Sequence, residues 1–199
     1  MGKIFYIMGK SASGKDCIYK RMMCDSDMRL LPLVLYTTRP IRDQEVPGKE
    51  YNFVNEEEIK RLRSLEKIIE ERSYHTVYGI WTYATVDDGN IDLEQNDYVG
   101  IGTLESYMKI KKYFGKDSVC PIYIEVEDGI RLERALQRER EQKNPRYAEM
   151  CRRFLADNED FKEEHIREAG IIKRFQNNGD ISNCLNEIHK FIGSRRKTL

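Results

Sequence analysis

Seven residues, Gly9-Lys10-Ser11-Ala12-Ser13-Gly14-Lys15, follow an apolar run from Ile4 to Met8 and precede a helical pattern. A loop of this kind leaves backbone N–H groups unpaired and gathers them at a helix N-terminus, which suits a polyphosphate. Glycines at 9 and 14 let the chain turn and approach an anion closely. Lys15 adds a mobile point charge for the outer phosphates. The spacing is that of G-x-x-x-x-G-K-[ST] except at its last position, which holds Asp16. A carboxylate there is a hard oxygen donor and a candidate Mg²⁺ ligand. It can equally do no more than favour the first helical turn through the macrodipole.

A second anion site is suggested by Arg39-x-x-Arg42 with Tyr51 downstream. Two arginines three apart on a loop can present planar forks to one phosphate, and a tyrosine hydroxyl adds a neutral donor. Such a pair facing a polyphosphate loop fits a monophosphate on a second substrate. A third cluster, Arg134, Arg138 and Arg140 followed by Arg146, Arg152 and Arg153, is interleaved with Glu133, Glu139, Glu141 and Glu149. It reads either as a charge-stabilising set over the transferring group or as a salt-bridged solvent face.

The elements that must hold these residues alternate between strands and helices. Apolar runs over Ile4–Met8, Leu31–Tyr36, Tyr98–Ile101, Val119–Val126 and Ile171–Phe175 predict strands. Helical spacing predicts helices from Lys15 to about Cys24, and over 56–65, 104–114, 129–141, 147–168 and 181–192. Strands separated by helices imply a parallel sheet covered on both faces, with the phosphate loop at the carboxyl ends of its strands. Short strands between about 37 and 90 form an insertion. A length of 199 residues suits one core with a small lid. With 34 basic and 34 acidic residues the chain lacks the basic excess of a general nucleic-acid binder. No apolar run is long enough to cross a bilayer, and the first residues enter a strand rather than a signal peptide. Five scattered cysteines without C-x-x-C spacing read as reduced thiols in a cytoplasmic protein.

Tyr36-Thr37-Thr38-Arg39-Pro40-Ile41-Arg42, continued by Glu45-x-x-Gly48-x-x-Tyr51-x-Phe53-Val54, resembles the monophosphate loop of guanylate kinases, T-T-R-x-x-R-x-G-E-x-x-G-x-x-Y-x-F-V. Gln44 replaces the first glycine. Ile69-Glu70 resembles the family's F-[IL]-E and Tyr78-Gly79 its Y-Y-G. The resemblance implies a P-loop kinase fold of the α/β class: a parallel sheet with helices on both faces, an inserted monophosphate-binding lobe and a helical lid. It divides the chain into a core of 1–36 and 91–199, a lobe of 37–90, and a lid at about 137–150.

It further implies phosphoryl transfer from ATP to GMP with Mg²⁺, by a monomer or homodimer without nucleic acid or membrane partners. Gly9, Lys10, Ser11, Ala12, Ser13, Gly14, Lys15 and Asp16 would hold the ATP phosphates. Arg39, Arg42, Tyr51 and Tyr78 would hold the monophosphate. Glu70 would accept from the guanine edge, with Thr82 as a second base contact. Lys15, Arg39, Arg138 and Arg153 would stabilise the transferring charge, and Asn177 stands where the family has an Asn near the adenine.

The departures lie on the base and metal side. Leu35 replaces a Ser and Ile80 a Ser or Thr. The D-x-D-x-Q-G segment reads Gly100-Ile101-Gly102-Thr103-Leu104-Glu105, without either acid. Asp16 is the economical replacement as metal ligand. The changed base contacts leave open another monophosphate, a phosphorylated sugar, or a guanylate-kinase-like binding module without turnover.

Overall fold

The computed structural model describes residues 1–76 and 79–196. Five parallel strands form the main sheet: β1 (Ile4–Met8), β2 (Leu30–Pro32), β7 (Asp97–Gly102), β8 (Val119–Glu125) and β9 (Arg174–Gln176), in the order β2-β7-β1-β8-β9. The central β1 is buried on both faces, and its side chains alternate between two cores. Ile4, Tyr6 and Met8 face α3 (Leu104–Phe114) and α6 (Glu163–Glu168), against Tyr107, Ile110 and Ile166. Phe5 and Ile7 face α1 (Lys15–Cys24) and α7 (Ile181–Arg196), against Ile18, Met22, Ile188 and Phe191.

A second sheet of four strands carries the insertion. It joins β3 (Leu35–Thr37), β4 (Tyr51–Phe53), β5 (Ile68–Thr76) and β6 (Gly79–Val86) in the order β4-β3-β6-β5, with only the β3–β4 pair parallel. Helix α2 (Glu56–Ser64) closes its small core of Ile59, Leu62, Ala84 and Val86. Its N-terminus is capped by Asn55, whose side chain accepts from the Glu58 amide at 2.8 Å.

Three expectations change, and of the strand expected over Ile171–Phe175 only Arg174 and Phe175 join β9. The apolar run Leu31–Tyr36 is two strands in different sheets, because Pro32 ends β2 and the chain crosses from one sheet to the other before β3. The single helix expected over 147–168 is α5 (Tyr147–Asp160) and α6, broken at Phe161-Lys162. Phe161 leaves the helical path to stack on Tyr123 of β8, with ring centroids 5.6 Å apart and planes inclined 18°.

Candidate functional site

The loop after β1 is shaped by its glycines and by residues far along the chain. Gly14 caps α1 in the left-handed region, φ 85°. A Cβ there would lie 2.6 Å from Asn177 Nδ2, and one at Gly9 would lie 2.6 Å from the Ile124 carbonyl oxygen. Asn177 is buried and its amide donates to the Ser13 carbonyl at 2.8 Å. Arg134, on α4 (Asp128–Arg140), donates in turn to the Asn177 carbonyl at 3.0 Å. Asn177 thus fastens the loop from behind. Lys15 opens α1, and its side chain makes no hydrogen bond or ion pair with any described residue.

The outer side of the loop meets α4 and α5. Arg131 is 0% exposed. Its guanidinium pairs with Asp128 at 2.7 Å, donates to the Ser11 carbonyl at 3.1 Å and to Asn158 Oδ1 at 3.1 Å, and lies 4.6 Å over the Phe154 ring. Asp157, 3.7 Å from Arg131, accepts from the Ser11 amide at 2.7 Å. Lys10 reaches Asn158 at 2.8 Å. Arg153 Nη2 donates to Ser11 Oγ at 3.3 Å, and Arg138 lines the same small recess beside Ser11. Of the arginine cluster, then, Arg138 and Arg153 face the loop. Arg152 instead pairs with Glu149 on the exposed side of α5.

The arginine loop is turned inward. Arg39 is 3% exposed, and its fork meets the Glu45 carboxylate at 2.7 and 3.0 Å. Its guanidinium also covers the rings of Tyr51 and Phe53 at 5.2 and 5.6 Å. The Arg39 hydrogen bond holds the Glu45 carboxyl below the usual range. Arg42 is exposed, with its backbone N–H on Glu45 at 2.8 Å. Burial raises the Tyr19 hydroxyl pKa, and Tyr51 and Glu50 raise it further. Tyr78 lies outside the described residues.

Glu70, expected at the base edge, is 2% exposed. Thr85 donates to its Oε1 at 2.9 Å, and Arg72 Nε stands 3.5 Å from Oε2. Burial raises the Glu70 carboxyl pKa and Arg72 opposes the rise. Arg72 also donates to Ser106 Oγ at 3.2 Å, and Ser106 Oγ is 2.8 Å from the Tyr6 hydroxyl. Thr82 is buried: its N–H donates to Thr38 Oγ1 at 2.9 Å, and its hydroxyl lies 3.1 Å from that of Ser73. Beside this network a cleft of about 640 Å³ opens between Arg72 and Tyr74 on one side and Thr103, Glu105 and His165 on the other.

The same network accounts for the absent acids. A Cβ on Gly100 would meet the Tyr6 ring at 2.8 Å, and one on Gly102 would overlap the Tyr6 hydroxyl. Tyr6 occupies the volume that side chains at these positions would need. Tyr6, Arg72, Arg131 and Asp157 were not singled out by spacing, since each has a partner far along the chain, 100, 31, 120 and 146 residues away respectively.

Asp16 is exposed on the first turn of α1 and has no partner among the described residues. Those residues contain no group of three or more His, Cys, Asp or Glu able to hold a metal by themselves. A single carboxylate beside a phosphate loop nevertheless fits Mg²⁺, which keeps waters and is commonly held by one or two carboxylates plus substrate phosphates.

Comparison with known proteins places these features in one family. A family model described as guanylate kinase matches residues 1–152. The chain is similar to guanylate kinases of Porphyromonas gingivalis (29% identical over 126 residues, 62% of this chain and 65% of that one) and Mycoplasma mobile (32% over 119 residues, 59% and 58%). A guanylate kinase of Rhodopirellula baltica is 34% identical over 87 residues, 44% of this chain and 41% of that one. The chain thus spans less than two thirds of the length of these curated relatives. Its fold is similar to the crystal structure of guanylate kinase from Anaplasma phagocytophilum, with a TM-score of 0.64 at 20% identity, over 99% of this chain and 87% of that one.

Proposed function

The chain belongs to the guanylate kinase family, and on that premise we propose that it transfers the γ-phosphoryl group of ATP to GMP, giving ADP and GDP. The observation that carries this reading is the convergence of Arg138 and Arg153 on Ser11, in the glycine-spaced loop that leads into Lys15. It gathers fixed cations around the loop where the donor phosphates would lie, as transfer to a second phosphate requires. In this reading residues 1–36 and 91–199 are the core, 37–90 the acceptor lobe, and the span at about 137–150, which takes in the end of α4, its connection to α5 and the start of α5, the lid.

Catalysis would rest on positioning and charge. The loop amides and Lys15 hold the donor phosphates. Arg42 makes the first contact with the acceptor phosphate, and Arg39 joins it as Glu45 gives up the fork. Tyr51 and Tyr78 add neutral donors. Arg138 and Arg153 approach the loop from α4 and α5 and offset charge on the transferring group. A phosphate monoester is already a nucleophile, so no side chain need remove a proton. Asp16 would hold Mg²⁺, which when bound supplies charge neutralisation on the phosphates.

A second reading has its own observation. Glu70 is buried against Thr85 and Arg72, and Thr82 is buried against Thr38 and Ser73, so neither is poised to read guanine. That favours a related kinase for another monophosphate or a phosphorylated sugar. A coupled assay with ATP and a panel of GMP, IMP, XMP, AMP, CMP, UMP and sugar phosphates decides the matter. GMP turnover that falls roughly a hundredfold or more in Lys15→Ala supports the first reading. Turnover with another acceptor alone replaces GMP, and no turnover with any acceptor leaves a binding module.

A further inference from the structure

At the amino ends of β1 and β8, the sheet edge opposite the phosphate loop, lies an open cleft of about 1030 Å³. Six cations line it: Lys3, Lys111, Lys116, Lys173, Lys190 and Arg195. Asp117 is its one lining carboxylate. The chain as a whole has zero formal charge, and many of its cations are ion-paired. These six are not paired with any carboxylate among the described residues. Lys3 donates to the Asp117 carbonyl at 2.9 Å and Lys111 to the Ala169 carbonyl at 2.8 Å. A carbonyl orients an ammonium without cancelling its charge. A concave surface lined by one sign of charge focuses its field on whatever enters.

The cleft also limits what the occupant can be. Its aromatic rings are already faced by cations. Lys111 lies 5.5 Å over Tyr107, and Lys173 and Arg195 lie 5.7 and 5.0 Å over Phe191. A base therefore finds no free ring on which to stack. Five of the six cations are lysines, which meet phosphate oxygens as point charges and impose no planar geometry. We propose that this cleft binds a polyphosphate chain, at a site separate from the phosphate loop. The chain could be free inorganic polyphosphate or the phosphates of a nucleotide, and the crowded rings favour the first.

Calorimetric titration tests this with inorganic polyphosphate of about fifteen units, ATP, and a single-stranded oligonucleotide of matched charge. The proteins are the wild-type chain, Lys15→Ala, and the exposed pair Lys116→Glu/Lys190→Glu. Polyphosphate should bind wild type and Lys15→Ala alike, and about tenfold or more weaker to the double variant. The slope of log affinity against log salt should fall by roughly two in that variant. Acceptor turnover should be unchanged by the pair, and ATP should follow Lys15 alone. Polyphosphate binding lost in Lys15→Ala but retained in Lys116→Glu/Lys190→Glu would assign it to the phosphate loop and overturn the proposal. So would no binding, and tighter binding of the oligonucleotide would reassign the cleft to nucleic acid. Because binding is read directly, a chain that proves inactive as a kinase leaves the test intact.

Discussion

The carboxylate of Asp157 sits on the backbone N–H of Ser11, 2.7 Å away, so an acid of α5 occupies one amide of the loop that would cradle phosphates. An anionic ligand at that amide has to displace it. Asp157→Asn keeps the shape and removes the charge. ATP affinity, measured by calorimetry, should rise by roughly threefold to tenfold, the range of about 1 kcal/mol. Weaker binding would mean that the acid positions the loop rather than competing for it.

Arg131 joins α4, α5 and the loop from a fully buried position. Replacing it with Met leaves Asp128 and Asp157 without their guanidinium and the Ser11 carbonyl without its donor. Asp128 is 49% exposed, so water takes over its charge, and the cost is that of the lost charged hydrogen bonds, about 1.5–3 kcal/mol. Urea unfolding should show a loss of that order, whereas Arg152→Met, on the solvent face, should cost under about 1 kcal/mol.

The Arg39–Glu45 pair sets a pH dependence. The Glu45 carboxyl titrates below its ordinary value in the folded chain because Arg39 donates to it. Its stabilisation is therefore complete above the unfolded value near 4.5 and is lost as pH falls through the lower folded value. Glu45→Gln should destabilise by roughly 1.5–3 kcal/mol at pH 7, as expected for hydrogen bonds between charged groups. Thermal unfolding across pH 3 to 8 should show the two proteins converging at the acid end.

Tyr6 and Gly102 are coupled by volume. Gly102→Ala pushes a methyl group into the Tyr6 hydroxyl and should cost about 1–3 kcal/mol as overpacking. Against Tyr6→Phe the oxygen is gone and the penalty should shrink. A double-mutant cycle on unfolding free energies should return at least about 0.5 kcal/mol of coupling. Additive effects would show that the two positions do not compete for space.

The strand, glycine loop and helix of residues 4–24 were legible because each depends on neighbours: an apolar run, two glycines and an amphipathic repeat. The same holds for the alternating layers of the parallel sheet. The split of Leu31–Tyr36 was half legible, since Pro32 marks it but Leu30, Leu33 and Leu35 are all buried and read as one run. The break at Phe161 carries neither glycine nor proline, and its cause is the Tyr123 ring on another element. At the site, the spacing marked Arg39 as a candidate anion ligand, but not that Glu45 would fill its fork. Arg131 looked like any of its neighbouring arginines, because burial and partners 120 and 27 residues distant distinguish it.

The grip of Asn177 on Ser13 joins positions 164 apart in sequence. A ribosome emits the glycine loop early and its fastener late, so the nascent chain carries the motif long before the loop can take its folded shape. A chain ended ahead of the last strand would retain every residue of that motif yet lack the side chain that shapes it.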